Sequence, residues 1–276
     1  MKAQGATEYL VTIGVVLVIA LVCVALLTWP VETTNDAKTQ QADVHYKIAE
    51  IGSQTEGYPE LVQGLIGYWK FEEGSGINAT DSRGGNTGNL TNAAWVSGKS
   101  GTALDLDGLV STVPTSLASN ADFQNGFTVS AWIYPRSVGE GSGTYNWGTI
   151  VNKASSSNGL NGFMYCFGIN GNLVLEVNGD TRRLSAIVPM DKWTHVAVTV
   201  SSDAIVTHYV NGAVSGTPGA TGALSGITTS NPLTIGNRAA TTVATFNGTI
   251  DEVMVFNRAL SADEIRLLYE NPGYPQ

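Results

Sequence analysis

The feature that most constrains this chain is a run without charge near its N-terminus, from residue 9 to residue 29. A helix needs roughly 20 apolar residues to cross the hydrocarbon core of a membrane, and this run has that length. Lys2 precedes the run and Trp29 closes it, where an indole ring suits the membrane interface. The sequence therefore predicts a membrane-spanning helix whose N-terminus faces the inside of the cell.

Glu8 stands at the head of the apolar run, and its presence separates several interpretations of this segment. An ordinary secretory signal fits poorly, because an acid precedes the run and no small-residue cleavage site follows before Pro30. A lipoprotein signal fits poorly as well, since Cys23 directly follows Val22. The simplest remaining interpretation makes Glu8 a marker of the water interface, because an unpaired carboxylate inside a membrane is costly.

The residues around Glu8 support a more specific interpretation. The stretch KAQGATEYL at residues 2–10 resembles the class III signal peptides of archaeal type IV pilins. The resemblance implies that a prepilin-type peptidase separates Ala3 from Gln4 and removes a leader of residues 1–3. Glu8 would then pair with the new Gln4 ammonium group of a neighbouring subunit and set the register of a filament. This leader is very short for the family.

The segment after the apolar run is polar and leads into the rest of the chain. Pro30 ends or kinks the first helix, and apolar residues then recur with helical spacing at positions 37, 44, 48 and 51. The resemblance makes residues 4–51 one pilin-type helix with a polar extension, whereas a flexible stalk explains residues 32–51 about equally well. Residues 52–64, which include Gly57 and Pro59, are predicted to form a linker.

From Leu65 onward the pattern is typical of an all-β domain. Three stretches alternate or run apolar as the strands of a sandwich do, namely residues 127–134, 193–200 and 249–256. Three Asn-Gly pairs supply the positive φ angles of tight hairpins, at residues 170–171, 178–179 and 211–212. A capping box from Ser261 to Glu264 predicts a short helix over residues 265–270.

The order of these elements resembles the laminin-G-like domains of the concanavalin A-like jelly-roll class. The matching stretches are GLIGYWKFEEGSG at 64–76, GTALDLDG at 101–108, and residues 127–135, 191–198, 209–212, 232–236 and 248–269. The resemblance implies an all-β jelly-roll sandwich over residues 65–271, preceded by the N-terminal transmembrane, pilin-type α-helix. Such sandwiches serve as lectins, adhesins, enzymes and spacers, so the fold alone does not define a function.

Composition restricts the partners and the covalent chemistry of the chain. There are 14 Lys and Arg against 23 Asp and Glu, a net charge of −9, so nucleic acid is not expected as a partner. An acidic, polar surface suits an extracellular domain. Cys23 lies in the apolar run and Cys166 in the β domain, so no disulfide is expected.

Catalytic patterns are hard to find in the sequence. Jelly-roll glycosidases carry carboxylates at alternate positions of one strand, and no E-x-D-x-x-E run occurs here. Asp251 and Glu252 are adjacent, so a regular strand would point them to opposite faces. His195 lies between Thr194 and Val196, which favours a buried structural histidine. No catalytic residue is predicted, and the chain is expected not to be an enzyme.

Calcium is implied by the second resemblance, because laminin-G-like domains often hold one structural ion. The oxygen ligands that the resemblance places near it are Glu73, Asp81, Asp107 and Asp251. Calcium takes six to eight oxygen ligands, so carbonyl groups and water would complete the shell. The alternative, which explains the sequence about equally well, is that these acids cap turns by accepting backbone hydrogen bonds.

Aromatic residues and sequons suggest further surface sites. Trp69, Trp132 and Trp193 fall on strands and are predicted to pack in the core. Tyr145 and Trp147 lie in a loop insertion and are predicted to face a ligand. Three sequons offer acceptors for glycosylation, at Asn78, Asn89 and Asn247, and the last of these adjoins a strand.

These observations predict a type IV pilin-like subunit of an archaeal cell-surface filament. The N-terminal helix would bind copies of itself or other pilins, and the extracellular jelly roll would bind surface glycans or proteins. Before assembly the chain would sit in the cell membrane with its N-terminus inside. One alternative is a single-span, membrane-anchored glycan-binding protein that does not polymerise, and a weaker one is a tethered glycan-processing enzyme.

Overall fold

A computed structural model describes residues 59–138, 147–155, 159–168, 170–238 and 244–274. The predicted leader, the N-terminal helix and the filament residues Ala3, Gln4 and Glu8 lie outside these ranges, and so does Tyr145. Within the ranges, neither helix combines the length and the apolar character that crossing a membrane requires.

The described ranges contain two helices and seventeen strands. In chain order these are α1 (Pro59–Val62), β1 (Leu65–Trp69), β2 (Asn78–Ala79), β3 (Gly88–Asn89), β4 (Ala94–Ser97), β5 (Thr102–Asp107), β6 (Val113–Pro114), β7 (Phe127–Pro135), β8 (Gly148–Lys153), β9 (Phe163–Phe167), β10 (Asn172–Val177), β11 (Asp180–Ile187), β12 (Thr194–Val200), β13 (Ile205–Val210), β14 (Ala213–Val214), β15 (Gly219–Ala220), β16 (Thr234–Ile235), β17 (Asn247–Phe256) and α2 (Ala262–Glu270). Short 3₁₀ turns span Ala121–Phe123 and Leu224–Gly226.

The strands form two large antiparallel sheets and one small hairpin. The nine-stranded sheet follows the order β14-β13-β12-β7-β17-β5-β4, with β1 also paired to β17 and β15 to β13. The six-stranded sheet follows the order β11-β10-β9-β8-β16-β6, and β2 pairs with β3 apart from both. This architecture confirms the predicted all-β jelly-roll sandwich.

The main hydrophobic core lies between the two sheets. Alternate residues of β7 (Phe127, Val129, Ala131 and Ile133) and of β9 (Phe163, Tyr165 and Phe167) belong to this core. The period-2 pattern of these strands explains the arrangement, because every second side chain points to the same face. The rings of Phe127 and Phe163 stack across the interface with their centroids 4.4 Å apart.

A second cluster lies on the outer face of the nine-stranded sheet, beneath α2. The helix begins at the predicted capping box, in which the Ser261 hydroxyl accepts from the Glu264 N–H at 3.2 Å. Ile265 and Leu268 of α2 are buried in this cluster together with Leu61 of α1. Because Leu61 packs there, the last residues of the predicted linker 52–64 belong to the folded domain.

The strands and hairpins that the sequence predicted are present. The strands β7, β12 and β17 cover the three predicted stretches almost residue for residue. Asn178 and Asn211 have φ angles of 52° and 49°, and each opens a tight turn between paired strands. Asn and Gly tolerate this left-handed conformation better than other residues, which is why the pairs mark the turns.

Candidate functional site

The outer face of the nine-stranded sheet carries an irregularity in β17. This strand pairs with β7 along most of its length, and its register shifts between Asp251 and Met254, where Glu252 takes a φ of 53°. The flanking residues Ile250 and Val253 both belong to the main core. Asp251 and Glu252 therefore both lie on the outer face, which corrects the expectation that they point apart.

Asp251 is held by backbone N–H groups from a neighbouring loop. Its Oδ2 accepts hydrogen bonds from the N–H groups of Lys99 at 2.8 Å and Ser100 at 3.0 Å. Its Oδ1 accepts from the Glu252 N–H at 2.8 Å, and the residue is 0 % exposed. A Cβ at Gly98 would lie 2.6 Å from Asp251 Oδ2, so only glycine lets this loop approach so closely.

Glu252 lines a cavity of about 550 Å³ that we call the acid pocket. Glu252 is 2 % exposed and its Oε2 accepts a hydrogen bond from the Tyr68 hydroxyl. Its Oε1 has no hydrogen bond of ordinary length to the described residues. The other residues that line the pocket are Lys70, Glu72, Ser100, Glu270, Asn271, Pro272, Gly273 and Tyr274.

Burial favours the protonated forms of Asp251 and Glu252, which we call the acid pair. Burial raises the pKa of Asp251 to about 8, although the N–H groups of Ser100 and Lys99 favour its anion. Burial likewise raises the pKa of Glu252 to about 7, against the Tyr68 hydroxyl and the Lys70 ammonium. Asp251 is therefore mostly neutral at pH 7, because a carboxylate loses hydration when it leaves water.

A second cavity, of about 440 Å³, adjoins the acid pocket and shares Glu270 and Pro272 with it. We call it the aromatic pocket, because Trp132, Trp193 and Tyr269 line it. Trp132 points outward from β7, Trp193 directly precedes β12, and Tyr269 belongs to α2. The remaining polar lining residues are Lys99, Lys192 and Asn211.

The rings of the aromatic pocket are arranged around Trp132. Its ring lies nearly parallel to that of Tyr269, with centroids 5.7 Å apart, and the Lys99 ammonium lies 4.3 Å from its centroid. Trp132 is 4 % exposed, and its Nε1–H finds no hydrogen-bond acceptor among the described residues. Trp132 is therefore buried, as the sequence predicted, although on the outer face of the sheet and not in the main core, whereas Trp193 is partly exposed and departs from the prediction.

His195 lies behind Trp132, with ring centroids 5.4 Å apart. Its Nε2 is 2.9 Å from the Ser130 hydroxyl, and burial lowers the pKa of His195 to about 3. The imidazole is therefore neutral at physiological pH. This position agrees with the buried, structural histidine that the sequence favoured.

The four residues proposed as calcium ligands lie at separate places. In the described part of the chain, no three carboxylate, imidazole or thiol groups meet closely enough to hold a metal together. Asp81 accepts from the N–H groups of Tyr68, Arg83, Gly84 and Asn86, and Glu73 accepts from Thr80.

The other two proposed ligands are also occupied by backbone donors. Asp107 accepts from the N–H groups of Leu109, Val110 and Ser111, and these bonds hold its pKa below the usual value despite partial burial. Asp251 is bonded as described above. The residues present therefore fit turn-capping acids rather than a metal shell, and a bound calcium ion stays a prediction.

Trp147 does not face a ligand. It is 3 % exposed and packs with Met164, Cys166 and Val174 on the outer face of the six-stranded sheet. The prediction that it faces a ligand is corrected, because the alternate residues of β9 and β10 form an apolar patch that covers the indole. Burial also raises the pKa of the Cys166 thiol, so this cysteine stays protonated.

The predicted glycosylation acceptors differ in their surroundings. Asn78 and Asn89 are exposed and lie opposite each other in the small hairpin of β2 and β3. Asn247 is partly buried, and its amide donates to the Ser137 hydroxyl at 2.9 Å while its oxygen accepts from Arg136. Glycosylation stays a prediction at all three, and Asn247 has the least accessible amide.

Residues 107–266, more than half of the chain, match the family described as the concanavalin A-like lectin/glucanases superfamily. The chain belongs to this superfamily. No curated protein sequence matches the chain. The family therefore confirms the laminin-G-like, jelly-roll resemblance that the strand motifs indicated.

Several solved structures share the fold. Domain 4 of AbnA, a GH43 extracellular arabinanase from Geobacillus stearothermophilus solved with arabinotriose, is 21% identical with a TM-score of 0.53 over 74% of this chain and 98% of that one. A sialidase from Trypanosoma rangeli is 20% identical with a TM-score of 0.55, over 75% of this chain and 32% of that one. The binding domain of Paraclostridial Mosquitocidal Protein 1 is 21% identical with a TM-score of 0.56, over 76% of this chain and 52% of that one.

These likenesses establish the shared fold, and the chain spans only about a third of the sialidase and half of the Mosquitocidal Protein 1 chain. They also overturn one expectation. An arabinanase and a sialidase, both glycan-processing proteins, contain this fold. The prediction that the chain is not an enzyme is therefore wrong. Neither the fold nor the missing carboxylate run excludes a glycan-processing activity.

Proposed function

We propose that the chain is a type IV pilin-like subunit of a cell-surface filament whose extracellular jelly roll binds glycans in the aromatic pocket. The observation that carries the glycan site is the partly exposed Trp193 beside Trp132 and Tyr269 in one open cavity. The observation that carries the filament role is the order of Gln4, Glu8 and the uncharged run 9–29.

Aromatic rings beside polar side chains suit a sugar ligand. The apolar face of a sugar ring packs on an indole or phenol, while its hydroxyl groups require hydrogen-bond partners. The ammonium groups of Lys99 and Lys192 belong to polar residues that line the pocket. Asn211 and Glu270 supply further polar groups at the rim. The sugar-bound domain 4 of the arabinanase is consistent with glycan binding by this fold.

Binding is tested with the full chain solubilised in mild detergent and titrated against a panel of polysaccharides. Trp193→Ala is expected to weaken binding of the best ligand about tenfold, because central aromatic contacts dominate such sites. Trp95→Ala, on the edge strand β4, is the matched control and should leave the affinity unchanged. Equal affinities for the parent and Trp193→Ala would remove the aromatic pocket as the site. Reducing ends released in the same samples would reveal turnover.

The filament role is tested by mass spectrometry of the N-terminal peptide from sheared surface material. A mature chain that begins at Gln4 and keeps the apolar run is expected. The variant Glu8→Ala should insert in the membrane but assemble poorly, because the partner of the Gln4 ammonium is lost. An intact Met1 start, or normal filaments from Glu8→Ala, would favour the alternative of a single-span anchor that does not polymerise.

A further inference from the structure

We infer that the aromatic pocket selects anionic glycans, whose sugar units carry a carboxylate or sulfate group, through Lys99 and Lys192. The inference rests on the proposed glycan binding in the same pocket and names the class of glycan that it takes. Two lysines beside three aromatic rings provide both an ionic contact and a stacking surface. Neutral sugars would use only the stacking surface.

The concentration of lysines in this pocket is unusual for the chain. The described residues contain four lysines, in a protein with a net charge of −9. Lys153 is buried, and its ammonium donates to the carbonyls of Ala118 and Asn231. Lys70 lies over the Tyr68 ring beside the acid pocket. The other two, Lys99 and Lys192, both line the aromatic pocket.

The positive charge of the two lysines is only partly offset by the acids around the pocket. Among the ion pairs of the described residues, none involves Lys99 or Lys192. Glu270 is the acid that lines the pocket, and it lies 4.0 Å from the Arg266 guanidinium. Asp251 lies behind Lys99, and burial raises its pKa to about 8, so that it offsets little charge at pH 7. An anion entering the pocket therefore meets unpaired cations.

The backbone fixes both lysines beside the rings. The Lys99 N–H donates to Asp251 Oδ2, and the Lys99 ammonium lies 4.3 Å from the Trp132 centroid. Lys192 follows Asp191, whose N–H donates to the Pro135 carbonyl at 2.8 Å, and it precedes Trp193. An acidic sugar that packs on the partly exposed ring of Trp193 thus enters a pocket whose lining includes both lysines.

The experiment compares matched anionic and neutral polysaccharides with the full chain in detergent. The carboxylate probe is polygalacturonate, with its methyl ester as the neutral partner, and the sulfate probe is a sulfated galactan, with agarose as the neutral partner. At least one anionic probe is expected to bind about tenfold more tightly than its partner at low salt. The preference should shrink near 0.15 M salt, because exposed charges are screened over about 8 Å there.

Three variants test which residues cause the preference for anionic over neutral probes. Lys99→Met with Lys192→Met should reduce binding of the anionic probe about tenfold, to the level of its neutral partner, since each exposed ionic contact is modest. Trp193→Ala should weaken the anionic and neutral probes alike. Arg83→Gln removes one exposed positive charge from outside the pocket and should change neither affinity. A thermal melt of each variant confirms that it is folded.

The outcomes separate this inference from the proposed function. Equal affinity for anionic and neutral probes would overturn the inference and leave glycan binding in place. A preference that survives in the double lysine variant would also overturn it, because another surface would then carry the charge. Failure of the parent chain to bind any probe, or any member of the polysaccharide panel, would overturn the proposed function itself. The two probe pairs show whether carboxylate or sulfate is the recognised group.

Discussion

The acid pocket and the aromatic pocket lie side by side and share Glu270 and Pro272, yet they use their polar groups in opposite ways. Next to Glu252, which lines the acid pocket, Asp251 is buried and accepts hydrogen bonds from three backbone N–H groups. In the aromatic pocket Lys99 and Lys192 have no ion-pair partner among the described residues, and Trp193 is partly exposed.

The difference teaches which pocket is built for stability and which for binding. A buried acid that accepts several backbone hydrogen bonds organises the chain around it, and its loss leaves those donors unpaired. Unpaired cations and an exposed ring contribute little to folding and retain their capacity for a partner. Lys99 contributes to both sites. Its backbone N–H donates a hydrogen bond to Asp251, and its ammonium group lies over the Trp132 ring of the aromatic pocket.

The largest expected effect comes from removing the buried acid. Asp251→Ala should lower the free energy of unfolding by about 4 kcal/mol, because three N–H groups, one buried and two partly buried, lose their acceptor. Urea unfolding followed by circular dichroism measures this change. Asp203→Ala, in an exposed turn, is the control and should change stability by less than about 0.5 kcal/mol. A similar loss of unfolding free energy in Asp251→Ala and Asp203→Ala would contradict the structural role assigned to Asp251.

Stability should also depend on pH through the acid pair. The folded pKa values of Asp251 and Glu252, about 8 and about 7, lie above the usual values of 3.8 and 4.5. The folded protein therefore keeps protons that the unfolded chain has already released. The stabilisation is complete below about pH 4 and is lost as the pH rises through about 7 to 8.

The measurement is urea unfolding at a series of pH values from about 6.5 to 9, where the loss should be on the order of 3 kcal/mol. The double variant Asp251→Asn with Glu252→Gln carries no titrating proton at these positions. Its stability should vary much less over the same range. A parent protein whose stability is flat or rises towards pH 9 would contradict the assignment of raised pKa values.

The smallest effect concerns the residue that the pockets share. Glu270→Gln should cost only about 0.4 kcal/mol of stability, the value of an exposed helical pair with Arg266. The same change should strengthen binding of an anionic glycan about twofold, because the acid of the aromatic pocket is removed. Isothermal titration against polygalacturonate measures the gain. Weaker binding by Glu270→Gln would mean that this carboxylate contacts the sugar directly.

Much of the fold could be predicted because its signals are local. Alternation in β7 and β12, the turns at Asn178 and Asn211, and the capping box at Ser261 each depend on residues close in sequence. The candidate site could not be predicted in the same way. The prediction that adjacent residues point to opposite faces assumes a regular strand. No residue next to Glu252 indicates that its φ angle is 53°. That single dihedral angle moves a carboxylate to the other face of the sheet.

The aromatic residues show a second limit of local patterns. Trp69 and Trp132 both lie on strands, yet Trp69 belongs to the main core and Trp132 lines an outer pocket. Which face of a strand becomes the core depends on the partner sheet, and how far the outer face is covered depends on where α2 packs. Trp147 shows the converse, because a tryptophan in a predicted loop insertion is covered by residues of β9 and β10. These are consequences of tertiary packing.

The pairing of β17 has a consequence for how the chain is made. Its first half pairs with β5, its second half with β1, and most of its length with β7. All three partners are synthesised long before residues 247–256, so the nine-stranded sheet remains split until β17 has emerged. Closing such long loops is slow and entropically expensive. The central strand of the nine-stranded sheet therefore completes it in one late step.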